Sequence, residues 1–288
     1  METVRIGVIG GSGLYHMPEL TDITEVRINT PFGPTSDVIM IGTLHGQRVA
    51  FLPRHGRGHV HMPSEVPYRA NIYALKTLGV SHVLSVSACG SLMEVLQPGN
   101  IVVPDQLVDY TRGERAHSFF GGGMVAHVSV ADPFCPTMIS VLTDACTLAG
   151  GRVHRGGTFV TIEGPRFSTR GESKVWRQLG FSIIGMTTSP EAFLAREAEM
   201  HYGVMAHVTD YDVWHTGEPV TADMVISQFN ANLMLAQKAI ANAVEHLATV
   251  EFACECGSAL KGAIATKHDL IPAETLERLR PIVGKYVK

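Results

Sequence analysis

The 288-residue chain has no apolar run approaching the roughly 18 residues of a membrane-spanning helix, so no membrane span is expected. It also has no excess of basic charge: 23 Lys and Arg stand against 27 Asp and Glu, and the cations are scattered rather than gathered in a stripe. Nucleic acid is therefore not an expected partner. Cysteine is sparse, with five residues of which only Cys254 and Cys256 are close together. That is not the density of a secreted disulfide scaffold. The N-terminus carries neither a signal-peptide apolar region nor a cleavage site, which makes the cytoplasm the expected location. Internal repeats and low-complexity linkers are lacking too.

What is present is an alternation of apolar runs with helical patterns. The runs "VRIGVIG", "DVIMIGTL", "RVAFLP", "HVLSVSA", "NIVVP", "TFVTIEG", "IIGMTT" and "GVMAHVT" read as strands, several of them apolar throughout, as strands covered on both faces are. Between the later ones, "PYRANIYALKTLG", "TMISVLTDACTLAGG", "TRGESKVWRQLG" and "PEAFLAREAEM" read as helices that end near glycine or lead into the next strand. The longest helical pattern is "TADMVISQFNANLMLAQKAIANAVEHLATV", with Thr221 as its N-cap and Asp223 in its first turn. The alternation predicts an α/β sheet with helices on both faces. After about residue 250 the composition changes. "FACECGSALKGAIATKHD" reads as an irregular tail and "AETLERLRPIVGKYV" as a short amphipathic end.

The opening strand breaks into glycines in "RIGVIGGSGLY". A dinucleotide fingerprint needs G-x-G-x-x-G leading into a helix, but counting from Gly11 places His16 where the third glycine belongs. The stretch after it carries a proline and does not read as a long helix. A smaller anion held by backbone N–H groups and the Ser12 hydroxyl is the other reading.

The remaining informative residues fall at strand ends, where open α/β sheets place their ligand crevice. "LPRHGRGH" gathers Arg54, His55, Arg57 and His59, either a solvated basic loop or an oxyanion clamp built on a guanidinium fork. "SVSACGSL" brings Ser87, Ala88 and Gly90 to another strand end, where Cys89 packs as a small hydrophobe. "IEGPRFST" couples Glu163 and Arg166 around a Gly-Pro turn, with Phe167 able to stack on a planar ring and Ser168 to hydrogen-bond it. Met186 in "IIGMTTSPE" reads from composition as core. In "VTDYDVWH", Asp210 and Asp212 alternate at the end of an apolar strand and leave on one side of the chain. Such a pair is either solvated or a site where one carboxyl keeps its proton. The pair Cys254 and Cys256 is open to three readings: a soft-metal half-site, a labile disulfide, or thiols without a role. The local sequence supplies no further ligands, His268 being twelve residues on, so no metal is expected.

Taken together, "GGSGLY", "PRHGRGH", "YRANIYALKTLGV", "SACGSL", "ADPFCP", "EGPRFSTR", "MTTSPEA" and "TDYDVW" resemble, in order and spacing, the trimeric purine nucleoside phosphorylase family, most closely its 5′-methylthioadenosine phosphorylase branch. The resemblance runs from about Ile6 to Leu247. It implies a single α/β domain with a central mixed β-sheet flanked by helices over residues 1–250, followed by a C-terminal tail over 251–288. It implies phosphate at Ser12, Arg54, His55, Ser87, the Ala88 backbone and Thr187, and ribose against Met186. Phe167 and Ser168 would face the base with Asp210 and Asp212. His59 and His127 would approach the 5′ end, His127 from a neighbouring subunit, with Val225 and Ile226 as apolar wall. Asp210, Asp212, Ser12 and His55 are the implied catalytic set. Serine at 12 and 87 departs from the threonine that other members often carry, but keeps the hydroxyl.

The implied reaction is phosphorolysis in purine and methionine salvage: inorganic phosphate as co-substrate, no metal or organic cofactor, and a homotrimer or dimer of trimers. Carboxylates facing the base favour an adenine, whose 6-amino group donates, over a 6-oxopurine, whose oxygen accepts. A 6-oxopurine nucleoside or methylthioinosine phosphorylase is the nearest alternative, and a dinucleotide-dependent oxidoreductase a more distant one.

Overall fold

A computed structural model describes residues 3–113, 115–215 and 220–287, apart from the side chains of Ser12 and Phe229. In chain order the strands are β1 (Ile6–Gly10), β2 (Thr21–Val26), β3 (Ile39–Leu44), β4 (Gln47–Pro53), β5 (His82–Ser91), β6 (Ile101–Val103), β7 (Gln106–Tyr110), β8 (Val153–Arg155), β9 (Thr158–Ile162), β10 (Ile183–Gly185) and β11 (His201–Asp210). The helices are α1 (Tyr68–Thr77), α2 (Pro136–Leu148), α3 (Arg170–Gln178), α4 (Thr188–Glu197), α5 (Ala222–Ala231), α6 (Leu233–Leu247) and α7 (Ala273–Val283). All eight apolar runs become strands. The additional strands are β2, β7 and β8, whose residues are mostly exposed or half-buried and give no apolar run to read.

The strands form one mixed sheet in the order β2-β3-β4-β1-β5-β10-β9-β7, with β11 pairing β5 and β6, and β8 pairing β6. Its centre is parallel: β4, β1, β5 and β11 run the same way. Every residue of β1 and all but the first of β11 are buried, which is why these strands read as continuous apolar runs rather than alternating ones. Strand β5 is long enough to pair β1 along its first half and β10, antiparallel, at its last residues. That branching brings the ends of β5, β10 and β11 together.

Two helical features are set by single residues. Thr169 caps α3 by accepting from the Glu172 backbone N–H while Glu172 reaches back to Thr169, a reciprocal capping box. The long helical pattern near the end is two helices, not one: Asn232, at φ −93° and ψ 0°, separates α5 from α6. Thr221 does cap α5, its hydroxyl accepting from Met224 N at 3.2 Å.

The segment after 250 is irregular as far as α7, with two short 3₁₀ turns, but it is packed onto the body of the fold. Cys256, Leu260, Ile271, Leu279, Ile282, Val283 and Val287 are buried in the same hydrophobic cluster as the sheet. Ala126 and Ile264 form a β-bridge, and the His127 N–H donates to the Ala263 carbonyl at 2.9 Å. No helix among the described residues is long and apolar enough to cross a membrane.

Candidate active site

The carboxyl ends of β1, β4, β5 and β11 open on one side of the sheet. Gly10 lies opposite Pro53, and Asp210 opposite Gly90, so the glycine turn, Arg54–His55, Ser87–Ala88 and the acid pair share that edge. Strand β10 pairs Ile184 with Gly90 in antiparallel fashion, and continuing that register sets Met186 across from Ala88. The glycine turn after β1 is one short 3₁₀ turn, Ser12–Tyr15, followed by β2 and not by a crossover helix. This removes the geometry a dinucleotide pyrophosphate needs. The turn is pinned from below by Gln237 on α6, whose Nε2 donates to the carbonyls of Gly13 and His16, each at 3.0 Å. The Ser12 side chain lies outside the described residues.

Arg54 corrects the expectation of a bidentate oxyanion clamp. Its fork is turned onto Glu191: Nε donates to Oε2 at 2.7 Å and Nη2 to Oε1 at 2.8 Å, in a pair 4% and 1% exposed. Nη2 also donates to Ser85 Oγ at 2.7 Å and Nη1 to the Val86 carbonyl at 2.9 Å. Glu191 is fixed in turn by the Tyr202 hydroxyl at 2.8 Å. Of the five N–H donors of a guanidinium, one, on Nη1, is left for an anion among the described residues. Burial opposes the Arg54 charge, and Glu191 more than restores it.

His55 is half-buried beside it, and burial lowers its pKa from 6.5 to about 4. A neutral ring with Nδ1 2.8 Å from the His61 carbonyl places its hydrogen there, leaving Nε2 as an acceptor. Ser87 and Thr187 are buried, and Thr187 stands at the N-cap of α4 without its side chain capping the helix.

The acid pair is buried, Asp210 and Asp212 each 6% exposed. Asp210 Oδ1 accepts the Asp212 backbone N–H at 2.7 Å, and its Oδ2 lies 2.7 Å from Thr209 Oγ1. Asp212 adopts φ +49°, a turn conformation that aspartate tolerates. Burial raises both pKa values, and the Asp210 charge adds to the rise at Asp212. Gly90 lies against the pair so tightly that a Cβ there would come within 2.9 Å of Asp210 Oδ1. The turn is held by Trp214, whose Nε1 donates to the Ser91 carbonyl at 2.7 Å under the Arg177 guanidinium. Several polar atoms around this turn are buried without a well-formed hydrogen bond among the described residues: Asp212 Oδ2, Ser168 Oγ, Ser173 Oγ and Arg177 Nη1. The Ser173 hydroxyl is near enough to Asp212 to offset part of the rise in its pKa.

The 163–168 loop closes over Met186. Gly164, at φ +68°, leaves no space for a side chain, since a Cβ would sit 2.5 Å from Met186 Sδ. Met186 is half-buried, not core, and Phe167 is half-buried beside the buried Ser168. Glu163 and Arg166 do not pair across the turn: Arg166 binds Glu172 at 2.7 Å, and Glu163 binds Arg115 at 3.0 Å. Arg115, fully covered, also donates to the carbonyls of Met186 at 2.6 Å and Glu163 at 2.7 Å. It thus ties the Met186 strand end to the Phe167 loop. Neither Arg115 nor Glu191 was visible as a site residue, because each is defined by a partner far away in sequence; Glu191 does lie within "MTTSPEA".

The four residues expected at the 5′ end are less gathered. His59 is exposed, at φ +56°, and stacks on His55 with ring centroids 4.2 Å apart. His127 and Ile226 are exposed and Val225 half-buried. Among the described residues the His127 ring makes no hydrogen bond or ring contact, and its backbone is bound to the segment after residue 250.

The sheet and its crevice define a phosphorylase. A family model described as the phosphorylase superfamily matches residues 5–248, and the chain belongs to that family. Among curated proteins it is 54% identical to S-methyl-5′-thioadenosine phosphorylase of Chloroflexus aurantiacus, covering 99% of each chain. It is 53% identical, over the full length of both, to the protein of the same name from Geobacter sulfurreducens. Among solved structures it is similar to a methylthioadenosine phosphorylase from an antarctic soil metagenomic library, with TM-score 0.94, 49% identity and coverage of 98% and 99%. It is also similar to methylthioadenosine phosphorylase of Schistosoma mansoni in complex with adenine, with TM-score 0.85, 37% identity and coverage of 93% and 100%.

Proposed function

We propose that the protein catalyses the phosphorolysis of 5′-methylthioadenosine to adenine and 5-methylthioribose 1-phosphate. The observation that carries this reading is the buried acid pair: Asp212 Oδ2, with the Ser173 hydroxyl nearby, and Ser168 Oγ are covered and make no well-formed hydrogen bond among the described residues. Buried polar atoms are almost always satisfied, and a purine edge offers the donor and acceptor that these two lack. The relatives of the same name support it.

Phosphate binds at the glycine turn, to the Ser12 hydroxyl, the remaining Arg54 N–H, Ser87, the Ala88 backbone and Thr187. The neutral His55 Nε2 accepts the P–OH hydrogen of the monohydrogen dianion. Ribose lies on Met186, and the base stacks on Phe167. Phosphate oxygen bonds to the anomeric carbon as the bond to purine N9 breaks, and the bonding electrons leave with the base. The oxocarbenium character that develops is stabilised by the adjacent dianion, held in place before reaction.

The leaving purine needs a proton at N7. Burial raises the Asp210 pKa, so it holds one more readily than an ordinary aspartate. Thr209 Oγ1 can donate to the Cys89 carbonyl at 3.2 Å and accept from a protonated Asp210 Oδ2 at 2.7 Å. The proton therefore has a place to rest before transfer. Asp212 Oδ2 accepts the 6-amino group, which disfavours 6-oxopurines.

His127 reaches the 5′ end of a neighbouring chain's substrate, with His59, Val225 and Ile226 around the methylthio group. The working form is a homotrimer or a dimer of trimers. No cofactor takes part in the reaction. The enzyme serves purine and methionine salvage in the cytoplasm.

The test is base release from methylthioadenosine, methylthioinosine, adenosine and inosine, with and without phosphate. Release that requires phosphate and favours the adenine nucleosides by orders of magnitude is expected. Comparable efficiency on inosine would remove the carboxylates from the base.

A further inference from the structure

The CxC pair is completed by the fold, not by its neighbours in sequence. Cys135 stands at the N-cap of α2 and His201 opens β11, and both meet Cys254 and Cys256. The three sulfurs and the His201 nitrogen all lie within 4.8 Å of one another. Cys254 Sγ is 3.4 Å from Cys135 Sγ, 3.4 Å from Cys256 Sγ and 3.2 Å from His201 Nδ1. Cys135 Sγ is 3.5 Å from His201 Nδ1. A tetrahedral zinc ion with Zn–S of about 2.3 Å and Zn–N of about 2.0–2.1 Å separates its ligands by roughly 3.6–3.8 Å. The four contacts fall within a few tenths of an ångström of that. The cysteines are free, and the sulfurs stand well beyond the ~2.05 Å of a disulfide.

We propose that Cys135, His201, Cys254 and Cys256 form a structural site for one Zn²⁺, closed to substrate. The donor set is the soft, four-coordinate type zinc prefers, with all positions supplied by protein. Binding displaces the three thiol protons. Three thiolates and a dication leave one negative charge, and Arg196 already directs Nη1 at Cys256 Sγ, 3.3 Å away. The His201 ring is held by stacking against His82 at 5.1 Å and by Phe252 at 4.2 Å. Cys135 and Cys256 are buried, His201 and Cys254 half-buried, so the ion would be shielded but within reach of solution.

The site joins the segment after 250 to the amino end of β11. Asp210 is nine residues further along the same extended strand, about 30 Å at strand rise. The ion is therefore a fastening and takes no part in chemistry at the crevice. The inference rests on this cluster alone, whatever the substrate.

Metal analysis of the purified full-length protein tests it. Zinc equimolar with chain is expected, and chelator-treated, reduced protein should take up Co²⁺ with the intense visible bands of a tetrahedral site and thiolate charge transfer in the near ultraviolet. The variant C254S/C256S should lose both signals and melt lower, with kcat unchanged within a few-fold. Should that variant fail to fold, thiol counting on the wild type serves: Zn²⁺ added to the reduced apoprotein should protect three thiols from modification. Reduced protein that takes up neither ion, or a disulfide among these cysteines in protein purified anaerobically, would overturn the proposal.

Discussion

The two ends of strand β11 make the most instructive contrast in the molecule. At its carboxyl end, Asp210 and, just beyond the strand, Asp212 are buried, and Asp212 Oδ2 makes no well-formed hydrogen bond among the described residues. At its amino end, His201 sits among three thiols that all touch one another or the ring. One strand thus carries a polar group awaiting a partner at one end and a self-sufficient ligand cage at the other. An unsatisfied buried group costs about 1–3 kcal/mol in the empty protein and returns it when a substrate arrives, which suits a binding site. A cage whose members already converge suits a fixed ion. The contrast separates chemistry from fastening along about 30 Å of backbone.

It breaks most severely at Asp210. D210N should lower kcat on methylthioadenosine by about a hundredfold to ten-thousandfold, the range for lost general acid catalysis, without lowering the melting temperature. Steady-state kinetics with calorimetry checks both, and an unaltered kcat would move the acid elsewhere. Next comes the pair behind the phosphate loop. E191Q leaves the Arg54 guanidinium buried without its counter-ion and should cost about 3–5 kcal/mol in urea unfolding, whereas R54M/E191L should recover much of that loss while losing phosphate binding.

A third expectation concerns pH. His55 and His207 have pKa values lowered by burial from 6.5 to about 4, so the stability they contribute is complete above pH 6.5 and is lost as pH falls towards 4. Glu197, raised by burial from 4.5 to about 7, has the opposite sign: its contribution is present below 4.5 and is lost as pH rises through 7. The two trends oppose each other between pH 6.5 and 4.5, where Glu197 offsets part of the loss from the two histidines. E197Q should therefore lose melting temperature more steeply than wild type on acidification through that window. Parallel curves would mean that Glu197 does not titrate there.

The smallest effect is expected away from both ends of β11, where the segment after 250 meets the loop before α2. Thr266 Oγ1 accepts the Val125 N–H at 2.8 Å and helps hold the loop segment that carries His127. T266V should cost about 1 kcal/mol and raise KM for methylthioadenosine a few-fold with kcat steady. An unchanged KM would separate His127 from the substrate.

Much of the crevice was legible because its residues follow apolar strands in short, ordered motifs. Asp210 closes β11 and the glycine turn follows β1, as reading strand ends places them, while Ser168 lies beyond β9 in the loop before α3. What was not legible depends on contacts across the chain. Arg54 reads as a free fork until Glu191, 137 residues away, takes it. Glu163 reads as the partner of Arg166, but Arg115 outcompetes it from another loop. Asn232 interrupts a helical period that continues on both sides, and a single residue leaves too little signal. The Cys254 and Cys256 pair lacks metal ligands locally because the fold brings them from 119 residues away, at Cys135, and from 53, at His201. The segment after 250 reads as irregular because its buried residues are spaced by turns, with no single period to find.

Identification of the sugar product tests the central claim most directly. Incubation of the protein with methylthioadenosine in phosphate buffer, with the products resolved by ³¹P NMR and mass spectrometry, should yield adenine and 5-methylthioribose 1-phosphate in equal amounts, and no adenine once phosphate is removed. Free 5-methylthioribose with no phosphate ester, formed equally well without phosphate, would show that water attacks the anomeric carbon and that the strand-end crevice does not bind phosphate as a nucleophile.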